Sequence, residues 1–146
     1  MSNFDFKSVK KQPADFRQIN MILRKAGNSL VSSEAILKDD PESAFTLAYE
    51  SMLKASMALM FSRGLRPRVQ LGHHKTLINF AKYALGDDSA NMTATYDKMR
   101  GKRNRVVYDT GAVSKIEAIE GLNTAKKYLA VIVRKIAEEN PQMKLL

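Results

Sequence analysis

The stretch Asp40-Pro41-Glu42-Ser43-Ala44-Phe45-Thr46-Leu47-Ala48-Tyr49-Glu50-Ser51-Met52-Leu53-Lys54-Ala55-Ser56-Met57-Ala58-Leu59-Met60-Phe61-Ser62 decides the fold. An aspartate whose side chain can accept free backbone N–H groups, followed by a proline at the first helical position, opens a helix. From Pro41 to about Ser62 that helix is apolar almost all round. Between Glu42 and Arg63 its only charges are Glu50 and Lys54, four apart and able to pair on a narrow wet edge. A helix hydrophobic on nearly every side must be covered on nearly every side, so this segment is expected to be the most buried element of an all-α bundle. Ala44, Ala48, Ser51, Ala55, Ala58 and Ser62 form a row of small side chains that lets a neighbour approach closely, either another helix of the chain or a second copy of the protein.

Toward the N-terminus, residues 1–12 carry Lys7, Lys10 and Lys11 without periodicity and read as a flexible basic arm that at most packs Phe4 or Phe6 locally. After Pro13, apolar residues at Phe16, Ile19, Ile22 or Leu23, Ala26, Leu30 and Leu37 mark one face of a helix running to about Lys38. Toward the C-terminus, Gly64, Pro67 and Gly72 punctuate a basic loop. A third helix begins near His73, with Leu77, Ile78, Ala81, Ala84 and Leu85 on one face, and stops at Gly86-Asp87-Asp88. A fourth runs from about Ala90 to Tyr108 on the stripe Met92, Tyr96, Met99, Arg103 and Val106 or Val107, and Asp109-Thr110-Gly111 ends it. Ser114 with Glu117 makes a capping box for a last helix that continues to about Glu139, before Asn140-Pro141. No strand pattern competes. Residues 13–140 therefore read as one domain, an up-and-down bundle of four to five antiparallel helices, with 141–146 as a C-terminal tail.

Composition narrows the function classes. The 146 residues contain no cysteine, which excludes a thiol nucleophile, a cysteine-ligated metal centre and a disulfide framework. No apolar run approaches the roughly 20 residues of a membrane span, and Met-Ser-Asn-Phe-Asp lacks the basic start and apolar stretch of a signal peptide, so the chain reads as cytoplasmic. The formal net charge is +9. Two acid-free stretches account for all of it: Arg63 to Lys75, with Arg63, Arg66, Arg68 and Lys75, and Lys98 to Arg105, with Lys98, Arg100, Lys102, Arg103 and Arg105. So local a positive field points to a polyanionic partner such as RNA, DNA or an acidic protein surface, or else is a solvated basic surface that keeps the protein soluble.

Two polar residues lie on apolar faces. Arg103 falls between Met99 and Val107, where an unpaired guanidinium is costly, and His74 extends the Leu77, Ile78, Ala81 face toward the start of its helix. The turn between the third and fourth helices is centred near residues 87 and 88. Counting about 13 residues either way puts His74 level with Gly101, within a turn of Arg103. On this reading Arg63, Arg66, Arg68, His73, His74, Lys75, Arg100, Lys102, Arg103, Asn104, Arg105 and Tyr108 gather at one end of the bundle.

Guanidinium groups give forked recognition of phosphate, an asparagine amide can hold a base edge or a 2′-hydroxyl, and a tyrosine ring can stack on a base. A histidine placed like His74 is more often a hydrogen-bonded core or capping residue; for cleavage, it is the candidate to accept the 2′-hydroxyl proton while arginine stabilises charge on the phosphate. His73 and His74 are adjacent, point to different sides of a helix and lack a third ligand, so no metal site is expected. No Gly-rich phosphate loop occurs, and no bound cofactor is expected.

The segment Arg103-Asn104-Arg105-Val106-Val107-Tyr108-Asp109 resembles the signature of the HEPN superfamily (higher eukaryotes and prokaryotes nucleotide-binding): an Arg, usually followed by Asn or another polar residue, then a His or, in divergent members, a Tyr five positions after the Arg. The second helix from Ser43 to Phe61, the Arg63-Gly64-Leu65-Arg66-Pro67 turn, and Gly72-His73-His74 before Leu77-Ile78 are similar to the same family. The resemblance implies a four- or five-helix bundle that dimerises, placing two motifs across a shared cleft. It further implies a metal-independent ribonuclease acting as a toxin or in defence, often encoded beside a nucleotidyltransferase antitoxin. Arg103 would then contact the scissile phosphate, Asn104 would orient it, and position 108 would carry the catalytic histidine. That position is Tyr108 here, so a ribonuclease with a degenerate motif and a non-catalytic RNA- or nucleotide-binding member both stand. A non-catalytic interaction module that docks a nucleotidyltransferase or other acidic partner through its basic pole is the alternative function. A third reading makes Arg103 and Tyr108 structural, bonded to backbone or to Asp109.

Overall fold

Helix starts are set by side chains that accept the free N–H groups of a first turn. Asp15 Oδ1 accepts from the amides of Arg17 at 3.0 Å and Gln18 at 3.4 Å, opening α1 (Phe16–Ile36). Asp40 accepts from the Ser43 amide at 3.0 Å and from its hydroxyl at 2.6 Å, with Pro41 in the first turn of α2 (Pro41–Ser62). Ser114 and Glu117 exchange both bonds of a capping box ahead of α5 (Lys115–Glu139). Between them lie α3 (His73–Leu85), ended by Gly86 at φ 78°, and α4 (Ala90–Tyr108). These assignments come from a computed structural model that describes residues 3–68, 73–108 and 110–141. Gly72, Asp109 and positions 142–146 of the expected tail lie outside the described residues.

The protein is an all-α bundle of five helices among the described residues, and α2 packs against each of the other four. Its small-residue row is core. Ala44, Ala48, Ser51, Ala55 and Ala58 are buried, the Ser51 hydroxyl donates to Ala26 O of α1 at 2.8 Å, and the Ser33 hydroxyl of α1 donates to Ala44 O at 2.6 Å. The row therefore seats α1 and is not open as a seam between copies. Lys54 reaches the Ser29 hydroxyl of α1 at 3.1 Å and makes no ion pair with Glu50. Deeper in, three buried tyrosines converge, with Tyr49–Tyr96 ring centroids 5.8 Å apart and Tyr96–Tyr128 5.1 Å apart. Ser56 Oγ lies 2.6 Å from Tyr128 Oη, 3.2 Å from Tyr96 Oη and 2.8 Å from Met52 O.

Contacts along α2 fix the direction of its neighbours. Phe45 meets Gly121, Ser56 meets Tyr128 and Arg63 meets Glu139, so α5 runs parallel to α2. Tyr49 meets His74 while Arg63 lies over Phe80, so α3 also runs parallel to α2, unlike the simple antiparallel succession expected. The reason is the length of the connection: ten residues separate Ser62 from His73, and a chain that long can reach up to roughly 33 Å, enough to return along a helix. In contrast, α3 and α4 are antiparallel, as their short turn dictates, with Lys75 opposite Asp97.

That return is clasped by the N-terminal residues. Val9–Lys11 form β1, paired antiparallel with β2 (Leu65–Pro67) in the register Val9↔Pro67, Lys10↔Arg66, Lys11↔Leu65. Val9 is buried, and Phe4 packs edge-on to Phe80 at 5.2 Å and to Phe6 at 5.1 Å. The arm expected to be flexible is thus tied to the bundle from Phe4 onward. Three-residue strands carry too little periodicity to be read from sequence. Among the described residues no helix is long and apolar enough to cross a membrane.

Candidate functional site

The register of α3 against α4 brings both His74 and Arg103 against Tyr49, a side chain of α2 with 0% of its surface exposed. Tyr49 Oη lies 3.0 Å from His74 Nδ1, and the two ring centroids are 5.8 Å apart. The Arg103 guanidinium carbon sits over the same tyrosine ring at 5.9 Å from its centroid, within cation–π range. Arg103 Nη1 donates a long bond to Asn104 Oδ1 at 3.4 Å, while its Nε is buried with no hydrogen-bond partner among the described residues. Among the described residues no carboxylate pairs with Arg103. The His73 ring stands perpendicular to that of His74 at 4.6 Å.

Burial and positive charge set the protonation states. Burial, then the neighbouring His73, Arg103 and Arg100, push His74 down to about 4, so it is neutral at pH 7. Burial pushes Tyr49 up to about 12, against the pull of Arg103 and Arg100, so its hydroxyl stays protonated. Asp97 anchors the flank. It accepts from Lys75 Nζ at 2.9 Å and Arg100 Nε at 3.2 Å, with Lys82 Nζ at 3.8 Å. Burial alone would raise its carboxyl, but the hydrogen bonds from Lys75 and Arg100 and the two lysine charges outweigh it and hold the group below the usual range.

The other basic residues expected at this end are elsewhere. Arg63 grips Glu139 with Nε to Oε1 at 3.1 Å and Nη2 to Oε2 at 2.6 Å, and its guanidinium lies over Phe80. Arg68 donates to Lys7 O at 3.3 Å and Val9 O at 3.4 Å, and Arg66 sits on β2 opposite Lys10. These three belong to the opposite pole, because Arg63 is fourteen residues beyond Tyr49 on α2, roughly 21 Å at 1.5 Å rise per residue. Lys102 and Arg105 line a groove between α4 and α5, where Lys102 pairs with Glu117 at 3.3 Å. They stand on a different face of α4 from Arg103. Tyr108 closes α4 with 79% of its surface exposed, beside Val107 at 46%. The cations therefore divide among a half-buried cluster (Arg100, Arg103), a groove (Lys102, Arg105) and the β-ribbon pole (Arg63, Arg66, Arg68).

Tyr49 and Asp97 are the members that sequence reasoning did not single out. In sequence Tyr49 is one more core aromatic of an apolar helix. Only the level of α4 against α2 marks it as the residue opposite Arg103. For Asp97 the available signal was its i, i+3 spacing to Arg100. Among the described residues no group of three or more His, Asp or Glu side chains is arranged to hold a metal ion. Neither models of known protein families nor curated proteins match the chain.

Proposed function

We propose that the chain is a HEPN-like, cytoplasmic RNA- or nucleotide-binding protein that takes a phosphate at Arg103. The observation that carries this reading is a guanidinium seated over a buried tyrosine ring, with no described hydrogen-bond partner at its Nε and no described carboxylate neutralising it. Such a charge is costly unless an anion joins it. Arg100 supplies further positive charge, and the Asn104 amide stands beside it for a base edge or 2′-hydroxyl.

Binding without histidine-driven cleavage fits the geometry better than a ribonuclease does. Position 108 is a solvent-exposed tyrosine, and His74 is too weak a base near neutral pH to turn over readily as an acid–base pair. The purified protein should bind single-stranded RNA without added metal, and Arg103→Ala should weaken that binding about tenfold or more. Its affinity should fall with salt, by a slope of about −0.7 per phosphate neutralised. Equal RNA binding by the two proteins removes the proposal.

The exposed Val107 and Tyr108 at the end of α4, beside exposed Arg105, favour a second use of this end. It would dock another protein, whether a second copy in a homodimer or an acidic partner such as a nucleotidyltransferase. A co-expressed partner that is lost on charge reversal of Lys102 and Arg105, with RNA binding absent, would establish the docking reading in place of the RNA one.

A further inference from the structure

The Tyr49–His74 hydrogen bond has a direction, and its direction determines what the imidazole can offer a ligand. A neutral imidazole carries one N–H and one bare nitrogen, and the bond made by one nitrogen fixes the role of the other. Tyr49 Oη is fully buried, and among the described residues its partner is His74 Nδ1 at 3.0 Å. If Nδ1 carried the proton and donated to Oη, the phenol O–H would itself be a buried donor with no described acceptor. Orphaned buried donors are the rarer and costlier fault, whereas an oxygen lone pair left unfilled is tolerated. The phenol therefore donates to Nδ1, and the ring proton resides on Nε2.

We infer that Tyr49 holds His74 as a neutral Nε2–H hydrogen-bond donor, which together with the guanidinium of Arg103 forms a two-donor site for an oxygen of a phosphodiester. This deepens the phosphate-binding reading and rests on it. Three helices converge in the site: α2 brings the tyrosine that orients, α3 the imidazole that donates, and α4 the cation. His74 is then a ligand-binding group, not a general base, because Nδ1 already accepts a hydrogen bond and Nε2 has no lone pair free to take a proton. Tyr49 is a positioning residue that acts through His74. Burial of the ring and the charges of Arg103 and Arg100 favour the same neutral form.

The test joins a spectroscopic readout to a binding series with a single-stranded oligouridylate as the probe. In 1H–15N correlation spectra of the intact protein at pH 7, His74 should show a protonated Nε2 and a bare Nδ1. Tyr49→Phe, with its fold checked by circular dichroism, should abolish that preference. His74→Gln, whose amide N–H can replace Nε2–H, should keep oligouridylate affinity within about threefold, while His74→Ala and Tyr49→Phe should lose about tenfold and about threefold respectively. A His74 proton on Nδ1, or His74→Ala binding as tightly as the parent while Arg103→Ala does not, overturns the inference and leaves the RNA reading standing. Loss of RNA cleavage in His74→Gln with binding retained would overturn it as well, in favour of a base. Unchanged binding in Arg103→Ala would instead remove the RNA reading itself.

Discussion

The Ser56 hydroxyl serves two tyrosine hydroxyls and the Met52 carbonyl inside a sealed core. Truncation would strand two phenol groups with no water to replace it, so Ser56→Ala should destabilise the protein by about 2–4 kcal/mol, read as a lower urea midpoint at unchanged slope. His74 gives a pH signature. Its ordinary value of 6.5 falls to about 4 in the folded protein, where Tyr49, His73, Arg100 and Arg103 face it, so between those values the unfolded chain binds more protons. That contribution to stability is present above pH 6.5 and is lost as the pH falls toward 4. His74→Gln should flatten this part of the stability profile, and an unchanged difference between parent and variant from pH 7 to 4.5 would contradict the assignment. At this scale the sequence was legible where a residue type was out of place. Arg103 and His74 stood out because charge and imidazole are costly on apolar stripes. Ser56 and Tyr49 did not, because a hydroxyl in an apolar helix looks like any small or aromatic core residue until its partners, dozens of residues away, are known.

Two glycines inside helices have opposite surroundings. Gly27 of α1 has nothing within 4 Å of where a Cβ would stand, so Gly27→Ala should raise stability by about 0.5–1 kcal/mol through helix propensity and a less flexible unfolded chain. Gly121 of α5 lets α5 close on Phe45 and Met99, whose atoms a Cβ would approach to 3.1–3.3 Å. The buried Phe45 ring has little room to yield, so Gly121→Ala should cost about 1–2 kcal/mol despite the same gain in propensity. Paired thermal melts decide both. Helix boundaries were the most legible elements: Asp40-Pro41 and the Ser114/Glu117 box state their starts in local chemistry, and α2, α4 and α5 lie where the sequence sets them. The first helix starts at Phe16, behind the Asp15 cap, and ends at Ile36, short of the expected Lys38. The β1–β2 ribbon went unread because its strands are three residues each and their pairing spans more than fifty positions.

At the scale of the whole molecule, the parallel course of α2 and α3 separates cations that the sequence places together. A strictly alternating bundle would carry Arg63, Arg66 and Arg68 to the same end as Arg103. The return segment carries them to the other, where Arg63 already holds Glu139 and covers Phe80. Arg63→Ala should therefore lower stability by about 1 kcal/mol and leave oligouridylate affinity within about twofold, whereas Arg103→Ala does the reverse. Local signals could not reveal this, since the handedness and direction of a crossover depend on loop length and on the clasp formed with β1. On the proposed RNA reading, that clasp also makes the N-terminus a remote control on ligand capture. Trimming the chain up to Lys11, or fusing an affinity tag that pries β1 away, would give the return segment slack, let the start of α3 fray, and blunt oligonucleotide recognition while most of the helical signal survives.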